Sequence, residues 1–115
     1  MDIKKEGSAA KDIIAQPGKL SELINYQDGS IVSKEIVKGE KGTVTLFAFD
    51  KGQGLSEHTA PFDALVFIFD GEAQVFIEGN PRHLKAGEVI IMPANKPHAL
   101  KAEERFKMLL VMIRS

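Results

Sequence analysis

The chain has 115 residues, no cysteine and a formal net charge of −1, from 15 basic and 16 acidic side chains. This length is typical of one domain of ~100–150 residues. The missing thiols exclude disulfides, cysteine-ligated zinc and a cysteine nucleophile. The charges form no basic stripe, which argues against a nucleic-acid partner. The amino terminus lacks the apolar core of a signal peptide, and the longest apolar run, at 108–113, is too short to cross a bilayer. We therefore expect a cytoplasmic protein without membrane partners.

Residues 1–30 are predicted to form an amino-terminal extension with short helical segments. Residues 9–15 favour a turn of helix, which Pro17 ends because proline disfavours helical geometry at the residue before it. Residues 19–26 place leucine and isoleucine at helical spacing. A turn-forming Asp-Gly pair at 28–29 then separates this extension from the rest of the chain.

Residues 31–115 are predicted to form one β-barrel. Short runs rich in Val, Ile and Phe alternate with turns that carry glycine or charged residues, one of them at 70–71. Such even spacing without a long helix indicates an all-β sandwich or barrel. The predicted strands are 31–37, 43–49, 64–69, 73–78, 89–92, 97–102 and 106–113.

Three of these runs are apolar at both parities: 65–69, 89–92 and 108–113. A strand of this kind is buried on both faces. Alternation along the first run directs Val66 and Ile68 into the barrel and the other three side chains outward. The amino-terminal helices can cover only part of that outer surface. We therefore expect a homodimer, whose second copy covers the rest.

Two segments carry glycine, proline and histidine at fixed spacing. In the first segment Gly52 is followed after five residues by His58, and Gly71 ends the segment. In the second segment Gly87 is followed after five residues by a proline, and His98 lies five positions beyond that proline. This layout predicts two imidazoles from separate strands that face one cavity.

The same layout resembles the cupin superfamily, the small jelly-roll or double-stranded β-helix barrels, over roughly 31–113. Cupins carry the motifs G-x5-H-x-H-x3,4-E-x6-G and G-x5-P-x-G-x2-H-x3-N. The chain departs from the first motif at Ala60, the second histidine position, and at Ala64, the glutamate position. It departs from the second at Asn95, the glycine position, and at Ala102, the asparagine position.

The resemblance implies a metal site of three histidines and one glutamate, of which only His58 and His98 remain. Asp63 could complete a site if a kink at Pro61 re-aimed its carboxylate. Otherwise two histidines with water or a chelating ligand would hold iron, manganese, nickel or zinc weakly. The favoured expectation is that no divalent metal is bound tightly.

Without a metal, the cavity has the form of a small-molecule site, an apolar pocket with a few convergent polar groups. The predicted ligand-binding residues are His58, Ala60, Ala64, Val66, Ile68 and His98. We therefore expect a small cupin that binds a small organic molecule. Two alternatives stay open: a metal-dependent isomerase or dioxygenase that uses His58, His98 and Asp63, and a metal-free isomerase with either histidine as the base.

Overall fold

The computed structural model describes residues 3–114, and most of them lie in strands. The all-β prediction is confirmed, with a jelly-roll architecture. A 3-10 helix (Ala10–Asp12) and the one-turn helix α1 (Leu20–Leu23) lie at the predicted places in the extension, although both are shorter than predicted. The strands are β1 (Ile3–Ser8), β2 (Ile31–Gly39), β3 (Gly42–Phe49), β4 (Gly54–His58), β5 (Phe62–Ile77), β6 (Asn80–Lys85), β7 (Val89–Met92), β8 (His98–Lys101) and β9 (Phe106–Arg114).

The strands form two sheets that share β5. The first sheet has the order β1-β2-β3-β9-β5-β7, and all of its pairs are antiparallel except β1 with β2. The second sheet has the order β4-β8-β5-β6 and is antiparallel throughout. The first half of β5 pairs with β7 and β9, and the second half pairs with β6 and β8.

The predicted turn at 70–71 is wrong, because β5 continues through it. The strand changes register between Ile68 and Asp70, and at Gly71 it adopts a φ of 73°. A Cβ atom at Gly71 would lie 1.9 Å from the carbonyl oxygen of Arg105. Glycine alone tolerates both this backbone conformation and this approach. The glycine therefore bends one strand from the first sheet into the second instead of ending it.

Three strands have no counterpart among the predicted ranges: β1, β4 and β6, although the motif layout did place His58 on a strand. Each has mostly exposed residues. Apolar alternation is produced by burial of one strand face, and these strands bury too few side chains to show it. They pair through their backbones, which the side-chain pattern does not report.

The core has two parts on opposite faces of the first sheet. Between the sheets, Val66 and Ile68 are fully buried, as alternation along β5 predicts, and Phe49 stacks on Phe106 with ring centroids 4.5 Å apart. On the outer face the extension covers a smaller cluster, which is centred on Ile24. This second cluster consists of Ile24, Val32, Leu46 and Ala48 with Leu20, Leu23, Tyr26, Ile36, Phe69 and Leu109 around them.

Polar contacts hold the extension in place. The Tyr26 hydroxyl donates a hydrogen bond to the Asp70 carboxylate, and Lys107 Nζ donates to the Ser21 carbonyl at 2.9 Å. Burial, together with Asp70, raises the pKa of Tyr26, so its hydroxyl keeps its proton. Within residues 3–114, neither helix has the length or the apolar character that a bilayer crossing requires.

We predict that Gly71→Ala lowers the free energy of unfolding by about 3 kcal/mol or more, since it adds a steric clash to an unfavourable φ. Gly52→Ala is the matched control, because Gly52 has a φ of 88° but no atom within 4 Å of the position that a Cβ atom would take there. The control should lose only about 1 kcal/mol. Urea unfolding measures both changes, and equal losses would contradict the role of the close approach.

Candidate functional site

The two histidines meet where β4 ends and β8 begins. His58 and His98 are cross-strand partners in the second sheet. Their Nε2 atoms are 3.1 Å apart, the ring centroids are 4.4 Å apart and the ring planes cross at 74°. The His98 residue is only 4% exposed, whereas His58 is exposed to solvent. The structure therefore brings together the pair that the motif spacing predicted.

Backbone carbonyls determine which ring nitrogens carry protons. Nδ1 of His58 lies 2.8 Å from the Ser56 carbonyl oxygen, and Nδ1 of His98 lies 3.2 Å from the Lys96 carbonyl oxygen. A carbonyl only accepts hydrogen bonds, so we assign a proton to each Nδ1. In two neutral rings the Nε2 lone pairs would then face each other. A single cation, either a proton or a metal ion, relieves that repulsion.

Burial lowers the pKa of His98, and the neighbouring His58 lowers it further, while the Lys96 carbonyl opposes the change. His98 is therefore neutral at pH 7. Two imidazolium rings with nitrogens 3.1 Å apart would repel each other strongly. The pair thus accommodates one positive charge and not two.

A cavity of about 50 Å³ lies next to the pair; we call it the histidine cavity. Ala60 and Ala64 line it, as the motif departures predicted. Val66 and Ile68 are instead packed in the core and are not among the lining residues. The cavity is bounded by Leu55, His58, Ala60, Phe62, Ala64, Met92, His98, Leu100, Met108, Leu110 and Met112.

Sequence reasoning missed most of this apolar lining, including all three methionines in residues 3–114. Met108 and Met112 lie four residues apart on the same face of β9. Met112 and Met92 are both cross-strand partners of Ala64. The inward-facing position of Ala64 could have identified them, because cross-strand partners lie on the same face of a sheet. Because 108–113 is apolar at both parities, the sequence did not show which parity faces inward.

Asp63 does not join the histidines. Its carboxylate oxygen Oδ1 accepts a hydrogen bond from the Ala94 N–H at 2.9 Å, and the residue is exposed and outside the cavity lining. Ala64 faces the cavity, and successive side chains of a strand point to opposite faces, so Asp63 points outward. Asp63 therefore fixes the 93–96 loop.

The donor set fits a metal ion only in part. Within residues 3–114, no three His, Asp or Glu side chains form a group that could hold an ion. Two nitrogens 3.1 Å apart can each lie ~2.1 Å from one ion, at an angle of roughly 95° between the two bonds. The residues therefore fit an ion held by two nitrogens, with its other ligands from outside the chain, and do not fit a site with four protein ligands.

Solved structures with this architecture include proteins of related sequence. A conserved protein of unknown function from Streptococcus pyogenes, SPY1581, is 34% identical, with a TM-score of 0.85 over 89% of this chain and 90% of that one. A cupin 2 conserved barrel domain protein from Leptotrichia buccalis is 46% identical, with a TM-score of 0.81 over 83% of this chain and 46% of that one.

One curated relative is an enzyme. Dimethylsulfoniopropionate lyase DddQ from Ruegeria pomeroyi is 38% identical over 58 residues, which are 50% of this chain and 29% of the lyase. The chain therefore spans under a third of that enzyme. The sequence profile of the Cupin_2 family, described as a cupin domain, matches residues 45–113, which include both histidines and more than half of the chain. The protein belongs to the Cupin_2 family.

Proposed function

We propose that this protein binds a small organic molecule in the histidine cavity without a tightly held metal ion. The observation that carries the proposal is the Nε2 pair, 3.1 Å apart, beside an almost wholly apolar cavity. Convergent polar groups on an apolar wall are typical of small-molecule sites. The pair provides acceptor nitrogens, since each Nδ1 is already occupied by a carbonyl.

The size of the cavity limits the ligand. A volume of about 50 Å³ is well below the ~300–1,000 Å³ typical of drug-sized ligands. It admits a few non-hydrogen atoms, and the three methionines let the wall adapt to their shape because thioether side chains are flexible. We infer a short-chain alcohol, or the apolar end of a longer alcohol, whose O–H group donates to an Nε2 atom.

We expect 1-propanol and 1-butanol, titrated into the protein, to shift the ring Cε1–H NMR signals of His58 and His98 saturably. Ala60→Leu should weaken binding at least about 10-fold, because the larger side chain occupies the space that Ala60 leaves. Ala86→Leu is the control, since Ala86 is exposed and outside the cavity. If neither probe moves the two ring signals, or if Ala60→Leu binds as the parent does, the proposal is wrong.

A second candidate is a metal-dependent cupin enzyme of the isomerase or dioxygenase type. The 3.1 Å separation of the Nε2 atoms favours it, because that distance suits two ligands of one ion. A bound divalent ion would supply Lewis-acid chemistry. The chain's own residues would contribute His58 and His98 as ligands and an apolar wall that limits water. The likeness to the lyase supports an enzyme only at the level of the fold, which hosts many chemistries.

Ala60→His combined with Ala64→Glu should strengthen Zn²⁺ binding at least about 10-fold in calorimetry, since both positions line the cavity with the pair. Ala60→His with Ala86→Glu is the control and should gain less. Without metal the double variant should be less stable than the parent, because a buried glutamate then lacks a partner. An unchanged Zn²⁺ affinity would show that these positions cannot complete the site.

The protein partner we propose is a second copy of the chain, docked on the outer face of β5, β7 and β9. Val89, Ile91 and Ile113 are each more than half exposed there, and Leu65 lies between Ile91 and Val111 in the sheet. The extension covers only the neighbouring part of this face. A contiguous apolar surface of this kind is typical of a homodimer interface.

We expect light scattering to give the mass of a dimer for the parent and of a monomer for Val89→Lys with Ile91→Lys, since a lysine pair would be costly to bury. Ile14→Lys is the control, as Ile14 is 69% exposed in the extension. A monomeric parent would contradict the proposal.

A further inference from the structure

A second concavity, which we call the inner groove, lies against β1, β2 and β3 in the first sheet. Its volume is about 590 Å³, which falls within the ~300–1,000 Å³ typical of small-molecule sites. The inner groove shares Met112 with the histidine cavity. One sheet therefore carries two different concave surfaces next to each other.

Strand register sets the chemistry of the inner groove. Cross-strand partners form rows across the sheet, and each row runs from β1 or β2 towards β9. The rows that line the groove are Lys5–Ser33–Phe47, Ser8–Glu35–Thr45 and Lys38–Thr43–Met112. Charged and hydroxyl side chains thus dominate the β1–β2 side, with Ile3 as the exception, and the β9 side is apolar.

The charged residues follow a fixed order along the groove. Lys5 and Lys38 belong to the outer rows and Glu35 to the middle row, so the order of charges is plus, minus, plus. None of the three forms an ion pair within 4.0 Å among residues 3–114. The two ammonium groups are therefore available to a ligand, and the carboxylate between them disfavours an anion at the middle.

A buried hydroxyl independently indicates a missing partner. Thr43 Oγ1 is shielded from solvent and is the one buried side-chain polar atom in the described part of the chain without a hydrogen-bond partner. Such atoms are rare in folded proteins because an unmade hydrogen bond is costly. Thr43 lines the inner groove, and a rotation of its side chain about χ1 would bring the hydroxyl to a ligand or a water molecule there.

We propose that the inner groove binds an acyclic hydroxylated dicarboxylate, with its two carboxylates at Lys5 and Lys38 and its hydroxyls at Glu35, Thr43 and Thr45. The outer rows are separated by residues 33 to 38 of β2, or roughly 16 Å at ~3.3 Å per residue. Flexible lysine side chains and ion-pair contacts of ~2.8 Å reduce this span to the length of a diacid of about six carbons. Glu35 accepts hydrogen bonds from the central hydroxyls, and Phe47 packs against the carbon chain.

The groove is a different site from the histidine cavity, so the two can be tested separately. Calorimetry and amide NMR with four probes dissect the ligand: galactarate has two carboxylates and four hydroxyls, adipate lacks the hydroxyls, galactonate has one carboxylate, and galactitol has no carboxylate. Galactarate should bind at least about 10-fold more tightly than adipate or galactonate, and galactitol should not bind detectably. The amide signals of Ser33 and Thr45 should shift.

Lys5→Gln and Lys38→Gln should each weaken galactarate binding at least about 10-fold and remove most of the preference for galactarate over galactonate. Lys4→Gln is the matched control, because Lys4 is an exposed neighbour of Lys5 with the opposite strand parity. Thr43→Val should weaken galactarate binding and raise the thermal midpoint of the free protein, since it removes an unpartnered hydroxyl. Ala60→Leu, which blocks the histidine cavity, should leave galactarate binding unchanged.

Four results would overturn the proposal: no galactarate binding, equal loss of affinity in Lys4→Gln and Lys5→Gln, equal binding of galactarate and adipate, or amide signals in the groove that stay unchanged because a second copy covers it. The second result would indicate attraction by general surface charge, and the third would exclude a role for the hydroxyls.

Discussion

The bend of β5 at Gly71 is the constraint on which the rest of the structure depends. One strand belongs to both sheets, and its two halves hold different neighbours. The first half places Ala64 on the wall of the histidine cavity, whereas the second half pairs with β8, which carries His98 and in turn holds β4 and His58. The position of the imidazoles relative to the apolar wall is therefore determined by how far this one strand turns. The absence of a side chain at Gly71 allows that turn beside the Arg105 carbonyl.

The polar and apolar parts of the barrel interior are separated along one sheet. Apart from Ile3, the side chains on the β1–β2 side of the inner groove are charged or hydroxylated, and those towards β9 and β7 are aliphatic, aromatic or thioether groups. Only the histidine pair brings polar nitrogen to the apolar side, and carbonyls at 2.8 and 3.2 Å restrict its protonation pattern. Among residues 3–114 the interior thus combines two chemistries without a buried ion pair, which would be costly to desolvate.

The sequence alone was sufficient to predict the strands whose side-chain pattern is produced by burial. Strands such as β3 and β9 were predicted because they are apolar, and the spacing of glycine and proline correctly paired His58 with His98. Edge strands such as β1 and β6 were missed because their side chains are solvated. The cavity wall was predicted only at the motif positions, Ala60 and Ala64; the methionine lining depends on cross-strand register, which a single sequence does not contain. The exclusion of Asp63 likewise required the Ala94 N–H that holds it.

The parallel pairing of β1 with β2 affects how long the inner groove stays intact. This strand has a single neighbour, is joined to it through the long extension, and exposes most of its side chains. The remaining strands pair with one another without β1, so an opening of β1 would be a local event that leaves the fold intact. Each such opening would remove Lys5 and leave the imidazoles undisturbed. An occupant held by β1 would in turn slow amide hydrogen exchange in that strand.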